Sequence, residues 1–586
     1  MAAIISEKFR IFNAKQFLES LGEGANDADT DRTRMYFFVG RSARWDSYLE
    51  IFNISGAFQV GETVSGGGWS GVVAEVHSNS LLLNSILPTP TSAPAFGTTI
   101  TGSTSAKTAK TGVYRYGTEE APPAPLDNQS ERKDIFDELI AAKRITTPFA
   151  RLVVPRYNWN LTLNPKFDMY RPNYSPTPGG GGAIGKQTAL GSTSLSGSKF
   201  YVMNSQYQVF KCIYNGETPG FPTGQNATYE PSSQPVGGQG TFAGGIYTEP
   251  SGTAGYIWRH MFSLTTGDVL SFLSSDFMPI AAVGEASRVA VEANAVDGSV
   301  DVAVVKDAGA NLPQSATLYT AVYGDGSNGV VQFETDGSGS ITSAMILTPG
   351  SGYTYGNVVL ETGKVFTDAG LTAAAGAFTG TAALEIVISP RGGHGSHAED
   401  ELFAKRIMTS IRLTYDEGQG DFPVDNDFRR IGIIQDPYEY GSTTFASSGT
   451  LRGTKVAKIN GATANYVVDE MVTQTVAGGT AKGTVVSWDA TNGILKYFQT
   501  PSLHADSGVV RAFASDAANS VDGAVSTASG TVDTTQDAPL ADISFTGGLA
   551  SPEIEPNSGE VVYIENRRQI TRAPDQIEDI KLVIEF

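Results

Sequence analysis

The sequence predicts a mainly β protein, built as a multi-layered β-sandwich core with a few short helices and several inserted small all-β modules. Three observations predict this class. Short apolar runs bounded by turn residues recur along the chain, the 586 residues include 66 glycines and 28 prolines, and long helical patterns are few. A chain of this length also exceeds what one compact core contains, so several domains are expected.

Two short helices are predicted near the start of the chain and before residue 150. Asn13 is a candidate N-cap for the first helix, which ends at Gly22 after an apolar stripe of Phe17, Leu18 and Leu21. Ser130 is a candidate N-cap for the second helix. The apolar face of this second helix and its basic last turn comprise Ile135, Phe136, Leu139, Ile140, Lys143 and Arg144.

The core strands are predicted from apolar or aromatic runs of strand length. Turn residues or prolines bound most of these runs, which is typical of buried strands. The predicted strands lie at 35–41, 151–159, 209–214, 255–262, 411–415 and 430–434.

Changes in composition divide the chain into a core and three insertions. The core sandwich is expected at residues 1–56, 122–283, 389–442 and 549–586. Inserted β modules are expected at residues 57–121, 284–388 and 443–548. The first and third modules resemble each other, because 58–66 is similar to 466–473 and 71–76 is similar to 483–488, and a looser copy lies at 96–102.

The charge and cysteine content exclude several classes of partner. The formal net charge of −20 argues against a nucleic-acid backbone or an anionic membrane surface as a partner. Cys212 is the single cysteine and lies in an apolar strand, where it is expected to act as a small buried hydrophobe. No apolar stretch is typical of a signal peptide or a membrane span, so the chain is expected to fold in a cytoplasm.

The sequence offers only weak candidates for catalytic or metal-binding residues. His394 and His397 lie before three acidic residues and could contribute to a Zn²⁺ site, but a glycine-rich turn leading into a short helix explains the segment better. Asp325 and Asp336 lie in Gly-rich segments that lack the Glu of a Ca²⁺ loop, so hairpin turns are favoured. No nucleophile elbow, P-loop or dinucleotide fingerprint is found. The sequence therefore predicts no enzyme, catalytic residue, metal or cofactor.

The C-terminal segment 558–586 is the most informative part of the sequence. It predicts a turn, a strand, a charged corner and a closing strand. Tyr and Arg are favoured at subunit interfaces, and the alternative is a solvated corner with weak surface ion pairs. The candidate interface residues are Tyr563, Glu565, Asn566, Arg567 and Arg568.

Short motifs along the chain resemble, in the same order, a subunit of the baseplate wedge of T-even-like contractile-tailed bacteriophages. The tail at 558–586 is the strongest match. The earlier motifs are Ser6 to Arg10, Gly40 to Ser42 before Trp45, Val154 to Arg156 before Trp159, Val209 to Cys212, Gly255 to Trp258, Phe422 with Pro423, Phe428 with Arg429, and Asp436 with Pro437.

The resemblance implies a structural role in the virion. It implies a three-layered β-sandwich, a homodimer, contacts with other baseplate wedge proteins, and a place in the tail baseplate after synthesis and assembly in the host cytoplasm. The alternative hypothesis is a tail adhesin whose inserted modules bind host surface glycans, for which Trp69, Tyr353 and Trp488 are the candidate aromatic residues. A polysaccharide-degrading enzyme is a further alternative, but no acid pair stands out.

Overall fold

The computed structural model describes residues 4–23, 33–42, 44–76, 79–160, 165–171, 194–378, 380–413, 428–506, 509–569 and 578–586. The predicted fold class is confirmed, since 40% of the chain is strand, 10% is helix, and the strands form many antiparallel sheets. Phe422, Pro423, residues 414–415 of one predicted strand and residues 570–577 of the C-terminal segment lie outside the described residues.

The helices and strands are numbered in chain order. The helices are α1 (Glu7–Glu23), α2 (Gln129–Asp137), α3 (Thr266–Phe272), α4 (Ala286–Ala293), α5 (Ala398–Glu401) and α6 (Pro501–His504). The strands up to residue 300 are β1 (Met35–Gly40), β2 (Ser47–Phe52), β3 (Thr63–Gly66), β4 (Trp69–Val76), β5 (Ser80–Leu87), β6 (Thr99–Gly102), β7 (Thr108–Arg115), β8 (Leu139–Ile145), β9 (Ala150–Pro155), β10 (Tyr201–Met203), β11 (Gln208–Tyr214), β12 (Thr241–Ala243), β13 (Ile246–Thr248), β14 (Ile257–Ser263) and β15 (Phe277–Pro279).

The remaining strands are β16 (Val300–Asp307), β17 (Thr317–Gly324), β18 (Val330–Thr335), β19 (Ile341–Thr348), β20 (Gly356–Val358), β21 (Ala383–Ile388), β22 (Arg406–Leu413), β23 (Arg430–Gln435), β24 (Thr450–Arg452), β25 (Lys455–Asn460), β26 (Met471–Val476), β27 (Gly479–Asp489), β28 (Ile494–Phe498), β29 (Ala505–Asp506), β30 (Val509–Val510), β31 (Ser520–Gly523), β32 (Ser529–Val532), β33 (Leu549–Ala550), β34 (Glu560–Asn566) and β35 (Glu578–Glu585).

The chain divides into two compact units, and both are discontinuous in sequence. Unit 1 comprises Met1–Leu18, Pro148–Ser410 and Lys581–Phe586. Unit 2 comprises Glu19–Thr147 and Ile411–Ile580.

Unit 1 contains the middle of the chain. A five-stranded sheet has the order β10-β11-β14-β13-β12, and a four-stranded sheet has the order β15-β9-β22-β35. A separate module contains the pair β16-β21 and the sheet β19-β18-β17-β20. The core of this module includes Leu318, Val331 and Phe333, which are buried because strand alternation turns them inward, and Tyr353 from the loop between β19 and β20.

Unit 2 is organised around β1, whose six residues are all buried. The strand is central in the five-stranded sheet β24-β8-β1-β23-β34, and it pairs with β8 and β23 along its whole length. Tyr36 and Phe38 on one face of β1 pack against Ile135 of α2 and Ile434 of β23. A strand that is buried on both faces is expected from the continuous apolar run at 35–39.

Both predicted helices differ from their sequence-based bounds. α1 begins at Glu7 rather than after Asn13, because Ser6 caps it by accepting a hydrogen bond from the Phe9 N–H at 3.3 Å. Asn128, not Ser130, caps α2, since its Oδ1 accepts from the Glu131 N–H at 2.8 Å. α2 ends at Asp137, and the apolar and basic residues predicted for its second half lie in the interior strand β8 instead. The apolar run in β8 pairs with β1, so tertiary packing outweighs its local helical pattern.

Asp137, the last residue of α2, has an unusual carboxyl group. Its Oδ2 atom is buried and accepts no hydrogen bond from the described residues. Burial raises the pKa of Asp137 to about 6, and the opposing charges of Lys133 and Lys455 do not cancel this effect.

We expect Asp137→Asn to stabilise the protein at pH 7.5 by about 1–2 kcal/mol. A raised folded pKa means that the ionised carboxylate costs stability above pH 6 and that the folded state gains protons as the pH falls. Unfolding free energies measured between pH 4 and 8 should therefore converge for the variant and the parent near pH 4. A constant difference across this range would contradict the assignment.

The first insertion is a closed barrel that begins earlier than the composition indicates. Its six strands close in the order β2-β5-β4-β3-β6-β7, and β2 pairs with both β5 and β7. The barrel therefore runs from Ser47 to Arg115 and includes a strand from the segment 1–56 that was assigned to the core. The looser copy at 96–102 ends in β6 of this same barrel and is not a further module.

The third insertion repeats the same barrel. Its strands form the closed ring β25-β28-β27-β26-β31-β32, with β33 added beside β25. Corresponding residues have the same register: Val64 faces Gly71 in the first barrel, and Val472 faces Gly483 in the second. The register shift after Val73 recurs after Val485. β24, from the segment 443–548, belongs to the five-stranded sheet rather than to this barrel.

A buried glutamate fixes one corner of the first barrel. The Oε1 atom of Glu62 accepts hydrogen bonds from the Gln59 N–H at 2.7 Å and the Ser105 hydroxyl at 2.7 Å. Its Oε2 atom accepts from the N–H groups of Thr104 at 3.0 Å and Ser105 at 2.8 Å. One carboxylate thus satisfies four donors of two loops.

Glu470 occupies the equivalent corner of the second barrel. Its Oε1 atom accepts from the Val467 N–H at 2.7 Å and the Ser526 hydroxyl at 2.6 Å. Its Oε2 atom accepts from the N–H groups of Val525 at 2.9 Å and Ser526 at 2.8 Å. The same atoms make the same bonds in both barrels, so the sequence likeness of the two insertions reflects one structural unit present twice.

Candidate functional site at the C-terminal strand

β34, the first strand of the C-terminal segment 558–586, is an edge strand of the five-stranded sheet in unit 2. It pairs with β23, and a register shift between Tyr563 and Val561 leaves Val562 as an additional residue. Val562 is 48% exposed. Within the part of the chain that the structure describes, no strand pairs with the other edge of β34. An exposed edge of this kind is a template for another strand.

Four of the five predicted interface residues lie together at the end of β34. The Tyr563 hydroxyl donates to Glu565 Oε2 at 2.8 Å, and Arg567 Nε lies 3.5 Å from Glu565 Oε1. Burial and the Glu565 carboxylate raise the pKa of Tyr563. The Arg568 guanidinium lies 3.6 Å from Glu120 Oε2, and both side chains are largely exposed. These four residues form a partly exposed polar strip.

Asn566, the fifth predicted residue, points into unit 2. Its Oδ1 accepts from Arg430 Nε at 3.1 Å, and its Nδ2 donates to the Pro123 carbonyl at 2.9 Å. The side chain therefore anchors the end of β34 inside unit 2, and its amide is already hydrogen-bonded there.

Trp45 lies behind this corner and was not among the predicted site residues. Its Nε1 donates to the Arg567 carbonyl at 2.7 Å. The guanidinium carbon of Arg41 lies 4.3 Å from a Trp45 ring centroid, and that of Arg430 lies 5.4 Å away. Both distances are within the range of cation–π attraction.

A buried ion network surrounds the two arginines. Glu138 Oε1 accepts from Arg41 Nη1 at 2.7 Å, and its Oε2 accepts from Arg430 Nη1 at 3.4 Å. Arg41 also reaches Glu75 Oε2 at 3.4 Å, and Arg430 donates to Glu131. Burial alone would lower the pKa of Arg41, but the carboxylates of Glu138 and Glu75 raise it above its ordinary value. The network joins the first barrel, α2 and the five-stranded sheet.

Arg429, the residue before β23, makes further contacts at the same corner. Its Nε lies 3.1 Å from Glu119 Oε2, and its Nη1 donates to the Ser42 carbonyl. Its own carbonyl accepts from the Arg567 N–H at 2.7 Å. The motifs at Arg41, Trp45 and Arg429, which are distant in sequence, thus meet at the C-terminal corner.

Further motif residues meet in an aromatic cluster of unit 1. The Trp159 and Phe167 rings are stacked with centroids 5.8 Å apart, and Phe167 contacts Trp258 edge-on at 5.1 Å. Tyr256 stacks on Trp258 at 5.4 Å. Cys212 is fully buried in the same unit, and burial raises the pKa of its thiol. These contacts are those of a packed core.

The two candidate histidines have different surroundings. His394 is buried and contacts the Tyr170 ring edge-on, with centroids 5.1 Å apart. Burial lowers the pKa of His394 well below its ordinary value. His397 precedes α5, and its N–H donates to Glu401 at 3.2 Å. Among the described residues, no group of three His, Cys, Asp or Glu side chains is placed to hold a metal ion.

The candidate Ca²⁺ and glycan residues are engaged in local contacts. Asp325 accepts from Thr354 and Tyr355, and these hydrogen bonds lower its pKa to about 2. Trp69 and Tyr353 are 4% and 3% exposed, so they belong to the cores of their modules. Trp488 is partly buried, and its Nε1 donates to Asn465 at 3.1 Å. The three aromatic side chains do not form an exposed stacking surface.

The sequence matches no protein-family model, and none of the curated proteins compared with it is a significant match. Among the described helices, none combines the length and apolar character needed to cross a membrane.

Proposed function

We propose that the chain is a structural subunit of the baseplate wedge of a T-even-like contractile phage tail. In this role it forms a homodimer, binds neighbouring wedge proteins in the virion, and moves with them during sheath contraction. One observation carries the proposal. Motif residues from both ends and the middle of the chain, which resemble the wedge family, meet around Trp45 and β34.

The distribution of charge supports a mechanical role. Arg41, Glu138 and Arg430 are buried and paired with one another. A network of this kind fixes the end of β34 against the first barrel, so a force on the edge strand would be carried into the unit. The proposal assigns no catalytic residue, cofactor or metal to the chain.

The edge of β34 supports a two-fold interface. Its first residue, Glu560, has a 74% exposed side chain, and Arg568 beyond its other end has a 69% exposed side chain. Antiparallel pairing with the β34 of a second copy brings each acidic end beside the partner's basic end. A two-fold interface of this kind uses the same patch on both subunits.

We expect Val562→Lys to weaken the dimer roughly a hundred-fold, because the two-fold symmetry places two added charges in the interface, where each is desolvated without an opposite partner. Sedimentation velocity of the full chain measures this change. Val525→Lys is the matched control, since Val525 is also an exposed valine but lies on the second barrel. A dimer that survives Val562→Lys, or a parent chain that is monomeric at micromolar concentration, would contradict this interface.

Cryo-electron microscopy of intact particles tests the role itself. Density for the chain in the baseplate wedge, in contact with other wedge proteins, is the expected result. Density only at fibre tips would favour the adhesin hypothesis and overturn the proposal, as would absence of the chain from the particle.

A further inference from the structure

A cavity of about 400 Å³ lies in unit 1, beside the module that contains β16 and β21. Its wall includes side chains from the five-stranded sheet, from β16 and from the turn after β21. The residues used below are Arg259, Val296, Ser299, Asp301, Pro349 and His394. Its volume is at the lower end of the range that small-molecule sites occupy.

Arg259 contributes a buried donor to this cavity. The residue is 6% exposed. Its Nη1 donates to the Gly244 carbonyl at 2.8 Å, and its Nη2 lies 3.4 Å from the Val291 carbonyl. Its Nε is buried and has no hydrogen-bond acceptor among the residues that the structure describes. A buried donor of this kind normally has a partner.

His394 contributes a second buried polar atom without a partner among the described residues. The residue is 4% exposed, and its Nδ1 has no hydrogen-bond partner within the described part of the chain. The Nε2 atom lies 3.9 Å from Asp301 Oδ2, and Nδ1 lies 4.0 Å from Glu401 Oε2. These distances are too long for hydrogen bonds. Because burial lowers the pKa of His394, the ring is neutral at neutral pH.

Asp301 contributes a hydrogen-bond acceptor to the cavity wall. Its Oδ2 accepts from the Ser299 hydroxyl at 3.1 Å, and its side chain is 16% exposed. Burial raises the pKa of Asp301, and the nearby charge of Arg259 opposes this effect. The cavity wall therefore presents a cationic donor and a carboxylate together, with Val296 and Pro349 beside them.

We propose that this cavity binds a neutral polyhydroxylated ligand of monosaccharide size. The opposite charges of Arg259 and Asp301 favour a neutral ligand, since a small anion or cation would be attracted by one group and repelled by the other. A hydroxyl group both donates and accepts, so neighbouring hydroxyls can donate to Asp301 and accept from Arg259 Nε. This site is independent of the proposed structural role, and it involves none of the aromatic residues first considered for glycan binding.

Saturation-transfer NMR on the full chain tests the site, with D-glucose, D-galactose, D-mannose and N-acetyl-D-glucosamine as probes at about 5 mM. We expect saturation transfer to at least one of these sugars. Asp301→Asn is expected to weaken that binding about ten-fold, since it removes a charged acceptor. Ala295→Phe, at another wall residue, is expected to abolish it by filling the cavity.

Asp297→Asn is the matched control. Asp297 lies in the same segment but lines a different cavity, and its Oδ1 accepts from the Gly392 N–H at 2.7 Å. An asparagine can keep that bond, so sugar binding should be unchanged. If Asp301→Asn fails to fold, Ala295→Phe decides the question. The proposal is overturned if no sugar binds, if both cavity variants bind as the parent does, or if inorganic phosphate displaces the sugar from the cavity.

Discussion

Replacing Glu138 by glutamine is expected to lower the free energy of unfolding by about 3–5 kcal/mol. Glu138 is 3% exposed and contacts Arg41 and Arg430 with its two oxygens. The amide leaves two buried guanidinium groups with less negative charge, and one of its ends then directs N–H groups at an arginine. Removal of one partner from a buried ion pair is costly for this reason.

Guanidinium-induced unfolding of the full chain measures this loss. Glu361→Gln is the matched control, because Glu361 is also paired with a cation, Lys364, at 3.9 Å, but its side chain is 70% exposed and lies outside the proposed dimer interface. A surface pair of this kind contributes about 0–1 kcal/mol, so the control should remain close to the parent. Equal stability of both variants would show that the buried network does not hold the corner together.

Strands with strong apolar runs could be predicted from the sequence. The apolar runs of β1 and β23 predict strands whose ends lie within one residue of the observed ones, because most positions of a strand buried on both faces are apolar. The first residues of the helices were harder to predict. Ser6 and Asn128 are the actual caps, but Asn13 and Ser130 have equally suitable side chains, and only the surrounding packing distinguishes them.

The candidate site could be predicted only in part. The tail identifies β34 and its charged corner, since these residues are neighbours in sequence. Arg41, Glu75, Glu138 and Arg430 are far apart in sequence, and no spacing rule brings them together. The resemblance of the motifs at Arg41 and Arg429 to the wedge family does not indicate that these segments meet. The hydrogen bonds of the Asn566 side chain could not be predicted either, because they depend on Arg430 of the neighbouring strand.

The repeated barrel shows that a short sequence similarity can correspond to an extensive structural similarity. The likeness of the two insertions was limited to two short segments. Both segments include the residues that set the register, Val64 with Gly71 and Val472 with Gly483. Glu62 and Glu470 extend the similarity, because each accepts hydrogen bonds from a loop that is distant in sequence.

Glu470→Gln is expected to destabilise the second barrel by about 2–4 kcal/mol, and Glu62→Gln should do the same in the first. Each carboxylate oxygen of Glu470 faces backbone N–H donors, at Val467 on one side and at Val525 and Ser526 on the other. An amide has only one acceptor oxygen, so in either orientation its NH₂ group meets an N–H donor. Differential scanning calorimetry of the full chain measures the loss.

Asp336→Asn distinguishes this mechanism from a general loss of charge. Its Oδ1 alone accepts from Ser338 and Ser340, so an amide oxygen can replace it, and we expect no measurable change in the unfolding transition.

The pH dependence of the stability gives a second check. Burial alone would raise the pKa of Glu470, but the bonds from Ser526, Val467 and Val525 lower it. The stabilisation is therefore full above the pKa of an unfolded glutamate, about 4.3, and is lost as the pH falls through the lower folded pKa. The difference between parent and Glu470→Gln should shrink in acid. A difference that grows in acid would mean that the carboxylate is not the group that holds the corner.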